Sequence, residues 1–420
     1  MRARFQILRF AMSLTTLWAV CSALPARAGQ VTLPQALELM RRHNPELSAV
    51  RQELTVAKGE LQKASYLTPF NFELAGEANY RARSTRSNSQ DWRVGFIQEF
   101  EIFGQRALRR KSARIGYDGA VAQLSDQARL LENATKMTFY DSMRVRDQVA
   151  LLSELAGLDF NLVQAARTRL EAGEINQVEY NSAQIRYGQS HRALLQGGER
   201  YRLLRSSLGR LLGGHAGAEP EPAGETRLNP VEVNVETMLQ GARARRPDLR
   251  ARQLAIAELN TEIALNRRLN SPNPAVGLFL GHDNNTERFI GPTFGFSVPL
   301  FNRRVGEATI LAGRRAQAED QLHGAELNVE QQVRDAYNNY ITARHALRIY
   351  EDEVVMPARQ SFGLLETAFT EGKIDLLRLS IAEREAFEAR MAYVDAWFDV
   401  LAAQVAIELA TGTPLQTASP

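Results

Sequence analysis

Apolar residues recur at steps of three and four over two very long stretches of the chain, which predicts long amphipathic helices. The first stretch contains no proline from Phe103 to Leu170. At 1.5 Å per residue such a helix reaches roughly 100 Å, about three times the hydrocarbon core of a bilayer. The second stretch carries an apolar seam that runs Val329, Val333, Ala336, Tyr340, Ala343, Leu347, Tyr350 and Val354.

A glycine follows each long stretch and marks a turn. Gly173 precedes a helical run from Ile175 to Leu212, and Gly372 precedes another from Ile374 to Thr411. Glycine readily ends a helix because it adopts the left-handed backbone conformation. The sequence of each half therefore predicts a helical hairpin with its tip near the glycine. Pro357 is expected to kink the second hairpin because proline lacks a backbone N–H.

Other stretches alternate between apolar and polar residues, which is typical of β-strands. Residues 70–81 and 92–100 form one such pair, and residues 276–281 and 294–300 form another. One face is apolar and the other is mostly small or polar, with Phe279 as an exception. Strands of about ten residues with this pattern match transmembrane β-strands, and the alternative is two surface hairpins packed on helices. The candidate lipid-facing residues are Phe70, Phe72, Leu74, Phe294, Phe296 and Val298.

The same order of elements occurs twice, about 200 residues apart, which predicts a duplicated helix-strand-strand-helix-helix unit. Asn44-Pro45-Glu46-Leu47 in the first half matches Arg246-Pro247-Asp248-Leu249 in the second. The predicted divisions are a signal peptide (1–28), a first structural repeat (29–214), a linker (215–230), a second structural repeat (231–413) and a C-terminal tail (414–420). The linker is rich in Gly, Pro and Glu, and we expect it to be flexible or extended.

Residues 1–28 have the features of a secretory signal, with a basic start, an apolar run and a small-x-small site at Ala26-Arg27-Ala28. The alternative is an uncleaved membrane anchor, which needs about 20 apolar residues. The chain has 51 basic and 48 acidic residues, and this leader holds four arginines and no acid. The mature chain is therefore almost neutral, and no net positive charge remains that would indicate a nucleic-acid partner.

The only cysteine, Cys21, also lies in the leader. Val20 and Trp18 occupy the recognition positions of a lipoprotein signal, where small residues are expected, so lipid attachment is not predicted. The mature chain is accordingly expected to contain no disulfide and no cysteine metal ligand.

A sheet in lipid has to close on itself because all its backbone groups must be hydrogen-bonded there. Four strands are too few for a barrel. Several copies of the chain are therefore expected to share one barrel.

The whole mature chain, with its two repeats, strand pairs and long helices, resembles the TolC-like outer membrane factor (outer membrane efflux protein) family. The stretch Gln98-Glu99-Phe100-Glu101-Ile102-Phe103-Gly104-Gln105-Arg106 is similar to the CzcC-like heavy-metal efflux branch. The resemblance implies a mainly α protein with a small membrane β-barrel portion. Its long coiled-coil helices would form a trimeric α-barrel below a shared twelve-stranded β-barrel.

The resemblance also implies a location and partners. The homotrimer would sit in the lipid of the outer membrane of a Gram-negative bacterium and extend into the periplasm. There it would contact a periplasmic adaptor (membrane fusion) protein and an inner-membrane resistance-nodulation-division transporter. It would act as the exit duct of a tripartite efflux system, with heavy-metal cations as the expected substrate.

The sequence contains no catalytic or metal-binding motif, so we predict no enzyme activity, no cofactor and no resident metal. Its six histidines are scattered, without a pair at helical spacing, and there is no His-Glu-x-x-His and no glycine-rich phosphate loop. His282 beside Asp283 could contact a metal, but the favoured interpretation is a loop residue at the end of a strand.

The hairpin tips are implied by the family to form the periplasmic entrance, and they are acidic. Threefold symmetry would turn an acid that faces the channel into a ring that favours cations. Surface solvation is the alternative, and Lys373 could also pair with these acids. The candidate entrance residues are Glu171, Glu174, Glu179, Glu371, Asp375 and Arg378.

Two classes of function remain open from the sequence. One is the outer-membrane exit duct, within which multidrug efflux and type I secretion are alternatives to metal export. The other is a periplasmic structural coiled-coil protein with accessory hairpins.

Overall fold

The structure is a computed structural model of the chain. It describes residues 29–82, 84, 88–224, 231–283, 287–298, 301–371, 373–374 and 376–414. The predicted signal peptide with Cys21, and all but the first residue of the predicted tail, lie outside the described residues.

Helices form most of the described chain and occur in the same order in each half. Two helices lead to a strand pair, and a long helical arm with its return helix follows. This is the order that the duplication predicts, and the duplication itself stays a prediction. The helices are α1 (Leu33–His43), α2 (Pro45–Ala64), α3 (Gln105–Glu171), α4 (Gln177–Leu211), α5 (Val235–Arg245), α6 (Pro247–Arg268), α7 (Val305–Ile349), α8 (Val355–Thr370) and α9 (Leu376–Thr411).

The main sheet has four antiparallel strands in the order β2-β3-β5-β6. Both edges, β2 and β6, are open in the single chain, so the shared twelve-stranded barrel stays a prediction. The strands are β2 (Glu73–Arg81), β3 (Ser89–Glu99), β5 (Pro274–Asp283) and β6 (Glu287–Phe296).

A second, very short sheet was not predicted from the sequence. Strand β1 (Gln30–Val31) pairs in parallel with β4 (Glu221–Pro222), and the N–H of Ala223 donates to the carbonyl of Val31 at 3.0 Å. Part of the predicted linker is thus fixed against the start of the described chain. Two-residue strands have no periodicity, which is why the pattern of the sequence did not indicate them.

Two hydrophobic clusters form the core, and α9 contributes to both. The predicted seam of α7 is confirmed, because Val329, Val333 and Tyr340 are buried against α9 residues that include Ile407. In the other cluster the apolar residues of α1, α3 and α4 pack against a different face of α9. Its largest buried members include Met40, Phe139, Met143, Leu208 and Leu212, together with Phe398 and Leu401 from α9.

Corresponding residues fasten the start of the second helix in each half. The buried Asn44 accepts a bond from the N–H of Leu47 and donates to the carbonyl of Leu211, at the end of α4. In the second half Arg246 reaches the carbonyl of Ala410, near the end of α9, at 3.2 Å. Both contacts satisfy a carbonyl in the last turn of a helix, where no partner within the helix is available.

The two hairpin arms differ in continuity. Helix α3 is unbroken over 67 residues. In the second half α7 ends after 45 residues, a π-helical turn follows at Tyr350–Val354, and α8 adds 16 residues. The ring of Pro357 would clash in an α-helix with the carbonyl four residues earlier, which belongs to Glu353. The π-helical turn contains this residue, so the helix is widened where the proline disturbs it.

Side-chain contacts between α3 or α4 and α9 join the two hairpins. Arg390 donates two bonds of 2.8 Å to the carboxylate of Glu154. Nearer the tips, Arg186 of α4 lies 2.9 Å from both Asp159 and Glu383. Asp159 is only 3% exposed, so this acid of α3 is part of a buried ion pair.

Candidate channel wall and helical hairpin tips

One face of the four-stranded sheet is mainly apolar, and Arg288 and His282 lie on it only near the polar loops. The register places Leu74 opposite Phe96, and Phe96 opposite Leu278. These side chains point to the exposed side of the chain, where Leu74 is 71% and Phe294 is 69% exposed. A contiguous exposed apolar surface marks contact with a membrane or with another protein. The apolar face consists of Leu74, Val94, Phe96, Val276, Leu278, Leu280, Ile290, Pro292, Phe294 and Phe296.

The opposite face carries charged and small residues. One row across the strands is Glu77, Arg93, Gly281 and Phe289, and the next is Ala75, Gly95, Phe279 and Gly291. The sheet is therefore apolar on its exposed face and polar on its more sheltered face, the reverse of a sheet that packs on a soluble core.

One arginine joins two acids where β2, β3 and β5 meet the polar loops. Arg81 lies 2.8 Å from Asp91 and 3.6 Å from Asp283. His282 points to the other face, opposite Trp92 in the register, so it is separated from this cluster. Within the described ranges, no group of three or more His, Asp or Glu side chains could hold a metal ion.

The stretch that suggested the heavy-metal branch forms the joint between sheet and helix. The buried Gln105 accepts a bond from the N–H of Phe103 and donates to Asn273, at 2.8 and 2.9 Å. Asn273 in turn donates to Glu99 at 2.8 Å. The joint thus connects the end of β3, the start of α3 and the segment before β5.

Two arginines extend this joint to neighbouring segments. Arg106 donates to the carbonyls of Ser65 and Tyr66 at the end of α2, at 2.9 and 3.1 Å. Arg109 forms two hydrogen bonds with Glu101, at 2.8 and 2.6 Å. These hydrogen bonds connect the start of α3 to the end of α2 and to the segment that follows β3.

The predicted lipid-facing residues lie partly outside the strands. Leu74, Phe294 and Phe296 are in β2 and β6, but Phe70 and Phe72 precede β2, and Val298 follows β6. The prediction that the first strand includes Phe70 was therefore wrong. Its N–H donates to the Thr68 hydroxyl, and its carbonyl accepts from the Gln98 side chain, so side chains take the place of ladder partners.

The acids of the first tip have local partners. Glu171, the last residue of α3, lies 3.1 Å from Arg167, and Glu174 lies 3.9 Å from Arg169. Glu179 accepts a bond from Asn176, whose own side chain caps α4 by accepting from the N–H of Glu179. Asn176 therefore starts α4 two residues later than the sequence predicted.

At the second tip Glu371 lies 2.6 Å from Lys373, and both are exposed. Arg378 is exposed in the first turns of α9, and Asp375 lies outside the described residues. Whether the acids of either tip line an entrance stays a prediction.

Comparison with known proteins gives matches along most of the chain. Residues 238–413 match the family model described as outer membrane efflux protein. The cobalt-zinc-cadmium resistance protein CzcC of Cupriavidus metallidurans is 23% identical over 369 residues, covering 87% of this chain and 86% of the relative. The pyoverdine export outer membrane protein OpmQ of Pseudomonas putida is 25% identical over 431 residues, covering 92% and 87%.

The fold also matches solved structures. The outer membrane protein VceC of Vibrio cholerae superposes with a TM-score of 0.75 at 17% identity, covering 91% of this chain and 97% of that chain. At this identity the match shows the fold alone.

The family match and the relatives define an outer-membrane efflux channel, and not an enzyme. The TolC-like outer membrane factor family predicted from the sequence agrees with the match of residues 238–413 and with these relatives, and the predicted location in the outer membrane is confirmed.

Proposed function

We propose that the protein is the exit duct of a tripartite efflux system and that it exports heavy-metal cations. The observation that carries this proposal is the sheet, whose exposed face is mainly apolar and whose other face carries most of the charged residues. Members of the family form trimeric channels that work with adaptor proteins and pumps. In this proposal a periplasmic adaptor and an inner-membrane resistance-nodulation-division transporter deliver the substrate to the duct.

The strand order supports closure by three copies. The strands alternate in direction, so the edge strands β2 and β6 run in opposite directions. Strand β6 of one copy can thus pair antiparallel with β2 of the next, and three copies give a closed ring of twelve strands. Closure would satisfy the backbone groups of both edges, which lipid requires. The helical arms would then continue as an α-barrel in the periplasm.

Adjacent residues of β6 test this arrangement. Phe294→Arg places a charge on the apolar face, where it costs roughly 2–4 kcal/mol near the bilayer midplane in every copy. We expect it to abolish the heat-modifiable trimer in outer-membrane fractions. Thr293→Arg is the matched control, because its side chain lies on the polar face, and it should assemble. Equal tolerance of both changes, or recovery of the unmodified chain as a soluble periplasmic protein, would contradict the proposal.

The choice of metal cations rests on similarity and on charge. CzcC is named for resistance to cobalt, zinc and cadmium. The polar face also has more acids than bases, and acids along a channel favour cations. Its acids are Glu73, Glu77, Asp91, Glu99, Asp283 and Glu287, and its bases are Arg81 and Arg93.

Deletion of the protein should therefore sensitise cells to cobalt, zinc or cadmium, and the full chain supplied on a plasmid should restore tolerance. The second relative, OpmQ, is named for pyoverdine export. Unchanged metal tolerance together with new sensitivity to organic toxicants would contradict metal export and favour multidrug efflux.

We further propose that the tip acids line the periplasmic entrance. Their local ion pairs with Arg167, Arg169 and Lys373 are exposed, and such pairs are weak enough to rearrange. Replacing Glu174 and Glu371 together with Gln should lower the cation preference of the channel in planar bilayers. Glu388→Gln, on α9 and paired with Arg384, is the control. An unchanged reversal potential in the tip variant would identify these acids as solvated surface residues.

A further inference from the structure

Arg93 occupies an unusual position on the polar face of the sheet. Its guanidinium carbon lies 5.2 Å from the ring centroid of Phe279 and 5.6 Å from that of Phe289. The two rings are 5.9 Å apart at an interplanar angle of 62°. Both distances lie within the range of cation–π attraction. Phe279, the apolar exception of the sequence pattern, is therefore one of two rings that hold an arginine.

Glycines form the floor under this group. A Cβ atom at Gly281 would lie 2.5 Å from the ring of Phe289, and one at Gly291 would lie 3.0 Å from the ring of Phe279. Any larger residue would displace the rings. The glycines of β5 and β6 thus allow both rings to lie close to the sheet, where they support Arg93.

Within the part of the chain that the structure describes, no carboxylate contacts the charge of Arg93. Glu77 is its cross-strand neighbour, but the carboxylate of Glu77 accepts a bond from Asn79 at 2.7 Å. Among the described residues Arg93 forms no ion pair and no side-chain hydrogen bond, whereas Arg81 contacts two acids. Arg93 is exposed, so its N–H groups face the space on the polar side of the sheet.

We propose that Arg93, held by Phe279 and Phe289, is a specificity-determining residue of the duct. This proposal rests on the proposed function, in which the polar face lines the channel. Three copies of Arg93 would place three positive charges in a wall that is otherwise acidic. These charges lower the preference of the duct for free cations, and their N–H groups can bind the carboxylate or phosphate of an anionic solute. The duct therefore admits anionic solutes as well as cations.

Planar bilayers with the purified full-length channel test the proposal. Under a gradient of KCl, Arg93→Gln should raise the permeability ratio of K⁺ to Cl⁻ by roughly twofold to fivefold, as expected for three charges about 10 Å from the permeating ion. Arg288→Gln is the matched control. Arg288 adjoins Phe289 in β6 but lies on the opposite face, so its loss should leave the ratio unchanged.

A second pair of measurements separates charge from folding. The mature chain has no cysteine once the predicted leader is removed, so Arg93→Cys gives a single thiol. A cationic methanethiosulfonate reagent added to inserted Arg93→Cys channels should lower their permeability ratio of K⁺ to Cl⁻, and an anionic reagent should raise it. Phe279→Leu combined with Phe289→Leu keeps the charge but removes the rings, and its ratio should fall between those of the unmodified channel and Arg93→Gln.

The outcomes distinguish this proposal from the one on which it depends. The role of Arg93 would be overturned if Arg93→Gln had normal conductance and an unchanged permeability ratio of K⁺ to Cl⁻, and if neither reagent changed the ratio of Arg93→Cys. Failure of the unmodified protein to form any channel would instead overturn the proposed function.

Discussion

The two hairpin arms have nearly equal lengths, but one is continuous and the other is interrupted. Helix α3 runs for 67 residues without a break, whereas the arm of the second half contains the π-helical turn at Tyr350–Val354. The interruption follows from Pro357, because the first arm has no proline and carries Leu158 at the corresponding position. A single residue therefore converts one of two similar arms into a segmented one.

The continuous arm is also the better packed of the two. Helix α3 has buried residues along its length, including Leu131, Phe139 and Ala166. On the segmented arm Met356 is 54% and Leu364 is 73% exposed. Helix α7 of this arm is packed in the core, so the sparse packing concerns α8, where few buried apolar contacts mean low local stability. We therefore expect the second arm to be less stable beyond the π-helical turn than the corresponding part of α3.

The largest expected effect is the conversion of the first arm into a copy of the second. Leu158→Pro should destabilise the chain by about 3 kcal/mol or more, because a proline inside a helix removes a hydrogen bond and clashes with a carbonyl. Leu158 is 43% exposed, so lost packing contributes little. Thermal unfolding of the purified trimer measures the effect. Pro357→Ala is the converse change and should raise the melting temperature, and a fall in both variants would contradict our account of the arms.

A smaller effect is expected from the buried contact between the hairpins. Arg186→Met removes the cation shared by Asp159 and Glu383 and leaves the buried Asp159 unpaired, which costs about 2–3 kcal/mol. Asp159→Asn in the same background should recover much of the loss, because the amide has no charge to bury. Unfolding by denaturant measures both values. If Arg186→Met and the double variant with Asp159→Asn have equal free energies of unfolding, the unpaired charge of Asp159 does not destabilise the fold.

The smallest effect concerns the exposed contact between Glu154 and Arg390. Hydrogen bonds from Arg390 lower the pKa of Glu154. A lowered pKa stabilises the fold above the unfolded value of about 4.3, and this contribution is lost as the pH falls through the folded value. Both side chains are about half exposed, so the contribution is at most about 1 kcal/mol.

Glu154→Gln should thus lower the melting temperature slightly at pH 7 and have no effect well below pH 4. High salt should reduce the difference at pH 7. Glu388→Gln removes an exposed pair that lies within α9 and is the control. A larger effect of Glu154→Gln at acid pH than at neutral pH would reverse the sign and disprove the role of the ion pair.

Periodicity predicted the parts of this molecule that repeat over many residues. The seam through Val333 and Tyr340 is buried as expected, and the alternation of β5 and β6 correctly assigned the apolar and polar faces. These predictions succeeded because burial of one face imposes the spacing of the helix or strand on the sequence.

The features that were missed depend on single contacts between distant residues. The pattern assigned Phe279 to the polar face but could not show that Arg93 stacks on it. Nothing local indicates that Arg186 reaches Asp159, or that Thr68 and Gln98 delay the start of β2. The proline did indicate a disturbance of the second arm, but not that it takes the form of a π-helical turn.

The short parallel pair of β1 and β4 bears on the order of events during biogenesis. Gln30 and Glu221 are far apart in the chain, so the start of the described chain has no partner strand until the whole first half has emerged in the periplasm. Export proceeds from the N-terminus, and contacts of such long separation form slowly. A chain truncated before residue 221 would therefore lack the partner strand of Gln30 and Val31, and its N-terminal segment would not be fixed by this pair.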